Sequence, residues 1–272
     1  MLYVIMSVYK NDNVDAVKEA VESLRCQTYP DFILYLKYDG PVHPDVKEYI
    51  SSLPDPRIRV RGREKNMGLA VSLNELLEEI LRQPDCEFVA RMDADDYCLP
   101  LRFEKQINYL KSHDADIVGS YIRESKAPTR GEGVLVKYPT DHQGCRLIFG
   151  KRTPVAHPTV MFRRSYFDKV GLYPTDTLRA EDDAMWLKGF KGGCTFTNIP
   201  EVLLHMRVND DFFNRRNSLT KTKFDYQFRK KIIRELNLPK IDYLYAVGRY
   251  LLFRYSPGWL LKFAYGNLRP SK

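Results

Sequence analysis

Two rhythms of apolar residues alternate along the first hundred positions. Short unbroken runs, LYVIMSVY (2–9), FILYLKY (32–38), RIRV (57–60) and CEFVARM (86–92), predict strands. Between the first two, NDNVDAVKEAVESLRCQ places Val14, Val17, Val21 and Leu24 at helical spacing, with Asp12 or Asn13 as N-cap. A short helix is predicted near 44–52. A longer one runs from Leu69 to Leu81, with Leu73, Leu76, Leu77, Ile80 and Leu81 on one face. Strands alternating with helices predict an α/β fold, Rossmann-like, with a mostly parallel central sheet and helices on both faces. Beyond residue 115 the rhythm loosens. DIVGSYIRES reads as a strand, 126–140 as a Gly/Pro-punctuated loop, CRLIFG as a helix, HPTVMFRRS as strand and turn, and AEDDAMWLKGF as a helix opening on acids.

In an open α/β sheet, ligands bind beyond the carboxyl ends of the strands. Tyr9, Asp39 and the Asp93/Asp95 pair fall at three such ends. The last is the most demanding, because Asp93, Asp95 and Asp96 crowd three carboxylates into four positions. They form either a solvated turn or the seat of a cation. Oxygen donors of this kind suit Mg2+ or Mn2+.

Composition narrows the class. With 272 residues, 44% hydrophobic and 29% charged, the chain is that of a globular protein able to bury a sizeable core. Five scattered cysteines without a C-x-x-C pair argue against a disulfide framework or a zinc site, and for a reducing cytosol. The start MLYVIMSVYK lacks a signal-peptide pattern, and no apolar stretch is long enough to span a bilayer, which predicts a cytoplasmic protein. The net charge of +8 is uneven. From Arg215 onward, 14 Lys/Arg face three acids, whereas the preceding residues carry 29 against 32. A basic surface spread over the whole chain would suggest nucleic acid; this local one does not.

The tail sharpens that point. A basic helix is predicted over 218–236, and 241–272 holds eight aromatics with Arg249, Arg254, Lys262 and Arg269 among them. Cations and interfacial aromatics predict a peripheral anchor on an anionic inner-membrane surface, helical and interrupted at Pro257. The alternative is a helical cap packed on the preceding domain. The expected division is 1–214 for the α/β domain and 215–272 for the tail.

An ordered series of motifs goes further: SVYKN, YDG, NMGLAVSLN, ARMDADDYCLPLRFEKQ, HPTVMFRRS, AEDDAMWL and MRVNDDFFNRR. Over residues 3–216 the chain resembles family 2 glycosyltransferases of the GT-A fold, specifically bacterial enzymes of O-antigen and exopolysaccharide assembly. That resemblance implies a metal-dependent inverting hexosyltransferase. It implies a UDP-sugar donor and a polyprenyl-diphosphate-linked acceptor, with a β-1,3 link to N-acetylglucosamine-diphosphate-undecaprenol as the best fit.

The resemblance also distributes roles. Asp95 is the metal ligand, with Asp93 nearer the ribose or a metal-bound water and Ala94 between them; Asp96 points elsewhere, toward the helix starting near Pro100. Asp39 accepts from the uracil imide, and Tyr9 stacks on the base. Asn66 and Gly68 open a helix toward the nucleotide, though Asn66 is equally a plain N-cap. Asp182 is the base, supported by Glu181. Trp186 floors the acceptor sugar, and His157 lies near acceptor or diphosphate. Arg207, Arg215 and Arg216 clamp the pyrophosphates. Many relatives carry His two residues after the first of these arginines; this chain has Asn209. A nucleotidyltransferase is the rival enzyme class, but SVYKNDN is not its glycine-rich basic loop. A non-catalytic sugar- or membrane-binding module is the other rival, with no need for both Asp95 and Asp182.

Overall fold

The computed structural model describes residues 1–178, 180–208 and 219–255. Asn209, Arg215, Arg216, the DDFFNRR segment and residues 256–272, on which several expectations fall, lie outside the described residues.

Among the described residues nine strands share one sheet, ordered β3-β2-β1-β4-β8-β6-β9-β5 with β7 paired to β6. Strands β1 (Leu2–Val8), β2 (Phe32–Tyr38), β3 (Ile58–Gly62) and β4 (Phe88–Asp93) are parallel and linked by helices α1 (Val14–Arg25), α2 (Pro44–Ser52) and α3 (Leu69–Ile80). Asn13 is the N-cap of α1, its side chain accepting from Ala16 N. The continuous apolar runs have a simple cause. In β1, Leu2, Val4, Met6 and Val8 enter one core, while Tyr3 and Ile5 enter the core on the opposite face.

The second half departs from the parallel expectation. β8 (Met161–Arg163) lies antiparallel to β4, and β6 (Ile117–Ser125) antiparallel to β8. β9 (Phe196–Arg207) runs parallel to β6, and the short β5 (Tyr97–Cys98) antiparallel to β9. β7 (Val134–Val136) pairs with β6 inside the stretch read as a loop. β9 is invisible to a search for alternation. Pro200 and Glu201 are skipped where the register jumps from Ile199 to Val202, so the strand carries a bulge at its proline.

Helices α4 (Arg102–Ser112), α5 (His142–Ile148), α6 (Arg164–Val170), α7 (Glu181–Lys191), α8 (Leu219–Glu235) and α9 (Ile241–Tyr255) complete the layers. The tail is not a separate body over its described part. Ile232, Ile233 and Leu236 of α8, Leu238, and Ala246 of α9 are buried in the same core as α3 and α7. Arg146 Nη2 donates to the carbonyl of Leu236. The expected division after residue 214 therefore does not separate two cores, and the helical-cap alternative describes α8. No described helix is long and apolar enough to cross a membrane.

Candidate active site

β4 ends beside β1 at the sheet's carboxyl edge, and its last residue is Asp93. Arg91, two residues back on the same face, is buried, and its guanidinium fork holds Asp93: Nη1 donates to Oδ2 at 2.6 Å and Nη2 to Oδ1. A charge this deep needs such a partner. After the buried Ala94, one carboxylate oxygen each from Asp93, Asp95 and Asp96 fall within 4.8 Å of one another. Asp96 is 2% exposed. Its Oδ1 accepts from the backbone N–H of Arg207 at 2.8 Å, and its Oδ2 has no hydrogen-bond partner among the described residues. Burial, then the neighbouring Asp95 and Asp93, hold its carboxyl well above the usual range.

A buried, unpartnered carboxylate oxygen inside an all-oxygen cluster fits a hard divalent cation. Asp95, Asp93 and Asp96 are the residues that would hold it. Asp96 thus differs from expectation: the N-cap of α4 is Leu101, without a side-chain cap, and Asp96 turns into the cluster.

Arg207 also differs from its expected part. Its Nε donates to the Asp95 carbonyl at 2.9 Å, and its Nη2 pairs with Glu19 of α1. The fork is committed to fastening the end of β9 against the acidic turn, so in this arrangement it is a brace rather than a pyrophosphate clamp.

On the donor side, Tyr9 is half-buried just past β1, its N–H donating to Asp12 Oδ2 at 2.9 Å. Asp39, 3% exposed, organises the neighbouring loop. Its Oδ1 accepts from Arg63 and from Met67 N at 2.8 Å, and its Oδ2 from Gly68 N at 2.9 Å. Asn66 Nδ2 donates to the Asp39 carbonyl, so Asn66 is not the cap of α3. The N-cap is Gly68, at φ +91° with open space where a Cβ would stand, which requires glycine and leaves the helix start accessible. Arg63, which sequence reasoning missed, ties Asp39 to Glu75 of α3.

The second acidic group opens α7. Glu181, Asp182 and Asp183 occupy its first turn, where the helix dipole favours negative charge. Asp183 pairs with Arg229 of α8 at 2.7 Å, both side chains largely covered. Asp182, the residue between, is pushed up to about 7 by burial first and by the Asp183 and Glu181 carboxylates second, with Lys221 pulling the other way. A carboxylate that exchanges its proton near neutrality suits general-base work.

Tyr173 joins the two acidic groups. It is buried, its N–H donates to Asn74 Oδ1, and its carbonyl accepts from Asn74 Nδ2, both at 2.9 Å. Its hydroxyl lies within electrostatic reach of Arg91, Asp93, Asp182 and Glu181. No motif marks this tyrosine; its place depends on a side chain 99 residues away.

His157 and Trp186 stand behind this site rather than in it. His157, 8% exposed, shares a 3.0 Å hydrogen bond between its Nε2 and the Tyr173 hydroxyl. Burial and the nearby Arg91 hold its imidazole well below the usual range, hence neutral. Trp186 is wholly buried among Phe162, Phe196 and His157. It packs the core beneath α7 and offers no face to an acceptor sugar, which corrects the expectation for it.

Known proteins identify the family of the chain. The chain is 32% identical over 237 residues to the amylovoran biosynthesis glycosyltransferase AmsE of Erwinia amylovora, covering 85% of this chain and 86% of that one. It is 31% identical over 233 residues to the UDP-Gal:alpha-D-GlcNAc-diphosphoundecaprenol beta-1,3-galactosyltransferase of Escherichia coli, covering 83% and 82%. The fold resembles the mannosyltransferase PcManGT of Pyrobaculum calidifontis, solved with GDP-Man and Mn2+. The TM-score there is 0.63 at 16% identity, over 98% of this chain and 79% of that one. Residues 3–171 match the model of glycosyl transferase family 2, to which the chain belongs.

Proposed function

We propose that the protein moves a hexose, glucose or galactose, from a UDP-sugar to an N-acetylglucosamine-diphosphate-undecaprenol type of acceptor, forming a β-1,3 link in O-antigen or related polysaccharide assembly. The observation that carries this reading is Asp182, a carboxylate raised to about 7, set across Tyr173 from the acidic turn of β4. Two acidic groups with opposite tasks, one cation-holding and one proton-accepting, match a single displacement at a sugar carbon.

Asp95 and Asp93 would hold Mn2+ or Mg2+, which when bound would supply positive charge to neutralise a departing diphosphate. Arg91 keeps Asp93 oriented toward the donor. The start of α3 at Gly68 presents backbone N–H groups and a helix dipole to phosphate. Asp39 Oδ2 retains one acceptor position for an imide N–H, and Tyr9 stands beside it for the base. Asp182 takes the proton of the acceptor hydroxyl on the opposite face, so the anomeric centre inverts; Glu181 supports its charge. The name of the Escherichia coli relative supports the acceptor class, and that of the Erwinia amylovora relative supports polysaccharide assembly.

Association with the cytoplasmic face of the inner membrane belongs to the same reading. On α9, Ile241, Leu244, Tyr245, Leu251 and Tyr255 form one stripe, all at least 47% exposed. Lys230, Lys231 and Arg234 face outward from α8. An exposed apolar stripe beside outward cations fits an anionic lipid surface.

The test offers purified protein a panel of UDP-sugars with a synthetic GlcNAc-diphosphate-lipid and Mn2+, and follows product by mass spectrometry. Transfer of one hexose is expected; no transfer from any donor would sink the assignment.

A further inference from the structure

Between the loop leading into α7 and the outward face of α8 lies an open groove of about 450 Å3, lined by Leu178, Thr220, Lys223, Phe224 and Gln227. The four α8 residues sit at i, i+3, i+4 and i+7, so they form one stripe of the helix. Among the described residues the lining holds a cation, Lys223, and no carboxylate. Leu178 and Phe224 make the rest of it apolar. Such a surface is amphiphilic in a specific way, with one positive charge above a hydrocarbon-compatible floor.

Its location gives this meaning. Leu178 stands four residues before Asp182, and Lys221, on the same turn of α8 as Thr220 and Lys223, is the α8 cation whose field reaches the Asp182 carboxyl. Arg229 anchors the helix to Asp183. The groove's lining thus lies within a few residues of the proposed base on one side and of Lys221 on the other. From there the Phe224 ring is stacked parallel with Phe228 at 5.8 Å, which extends the apolar lane along α8. Further along, Tyr226 packs on Tyr250 of α9, the helix with the exposed apolar stripe. The volume lies in the range of ligand clefts, roughly 300–1,000 Å3.

We propose that this groove is the subsite for the non-sugar part of the acceptor: the diphosphate beside Lys223, and the first segment of the lipid chain over Phe224 and Leu178. The inference rests on the reading of Asp182 as base and of a lipid-diphosphate acceptor. It adds the place where that anion and chain lie, and assigns the groove to the acceptor rather than to bulk lipid. A diphosphate held outside the acidic cleft needs a cation of its own, because the cluster at β4 is claimed by the donor.

The experiment titrates the protein with farnesyl diphosphate in EDTA, which removes divalent ions and so silences the donor site, and reads binding by calorimetry. Wild-type protein is expected to bind. Lys223→Glu, at an exposed position that leaves packing intact, is expected to weaken binding at least tenfold. Phe224→Ala is expected to weaken farnesyl diphosphate but not inorganic diphosphate. In turnover assays Lys223→Glu raises the acceptor KM at least tenfold with the donor KM within twofold.

No binding by wild type, or equal binding by wild type and Lys223→Glu, overturns the proposal. Equal weakening toward a short-chain phosphatidylglycerol also overturns it, assigning the groove to bulk anionic lipid. Failure of the base reading looks different: Asp182→Asn would keep full turnover while farnesyl diphosphate binding stayed unchanged.

Discussion

Asp182→Asn should make the protein more stable while stopping it from working, and the gain should depend on pH. Asp182 titrates near 7 in the fold against an ordinary 3.8, because burial and two neighbouring carboxylates oppose its charge. Below pH 4 it is protonated both folded and unfolded, so its charge costs nothing. Between 4 and 7 the folded chain keeps a proton that the unfolded chain has released, and stability falls as pH rises. Above 7 both states are ionised and the whole cost is present. Each tenfold change in proton affinity is about 1.4 kcal/mol, so the cost reaches about 4 kcal/mol, an upper bound since part of the side chain keeps water. Asparagine has the same shape and no charge. Its advantage should therefore grow from near zero at pH 3, through about 1 kcal/mol at pH 4.5, to at most about 4 kcal/mol at pH 8.5, or on the order of 10 °C in Tm. Urea unfolding of both proteins across that range, with UDP binding and turnover measured on the same samples, tests the argument. UDP binding should persist and turnover should vanish. A pH-independent difference, or a variant less stable at pH 8.5 than wild type, would refute the proposed strain on Asp182.

The other predictions concern neighbouring elements. Asp95→Asn should abolish the Mn2+-dependent part of UDP binding in calorimetry while leaving the melting curve within a degree or two, since Asp95 is a surface-turn carboxylate. Arg91→Met leaves the acidic cluster one charge more negative and Asp93 unheld, so Mn2+ binding by electron paramagnetic resonance should tighten several-fold while UDP binding weakens; both moving together would contradict the orienting role. Trp186→Ala should cost about 3–5 kcal/mol in urea unfolding, as for a wholly buried aromatic, whereas Trp186→Phe should leave the acceptor KM within twofold; a large KM rise would return Trp186 to the acceptor site. Leu244→Glu with Leu251→Glu, both on the exposed stripe of α9, should keep the fold and release the protein from anionic vesicles in flotation assays.

What the sequence discloses follows burial. β1, β2 and β4 were legible because both faces of each are covered, leaving a run of apolar residues with no alternation to misread. β9 was not, because Pro200 interrupts it and a bulge shifts its register, so neither period survives. The three aspartates were legible since like charges at that spacing demand a reason. The position of Asp96 is not legible, because local sequence points it toward the helix near Pro100 while the backbone N–H it accepts from lies 111 residues away. The partner of Arg207 is hidden for the same reason: Glu19, which takes its charge, is 188 residues off. Trp186 followed an acidic pair and so suggested a sugar platform, but on α7 it falls beside Met185 and Leu187 on the covered side.

The tail shows how one helix satisfies two readings that look exclusive. Its cations read as a surface for anions, and Lys223, Lys230, Lys231 and Arg234 do face outward. Its aliphatics read as a cap, and Ile232, Ile233 and Leu236 close the core over α7. The two faces meet at Arg229 and Lys221, which point neither way: one pairs with Asp183, and the other eases the burden on Asp182. A shift of α8 would alter the charge around Asp182, because those two cations would travel with it.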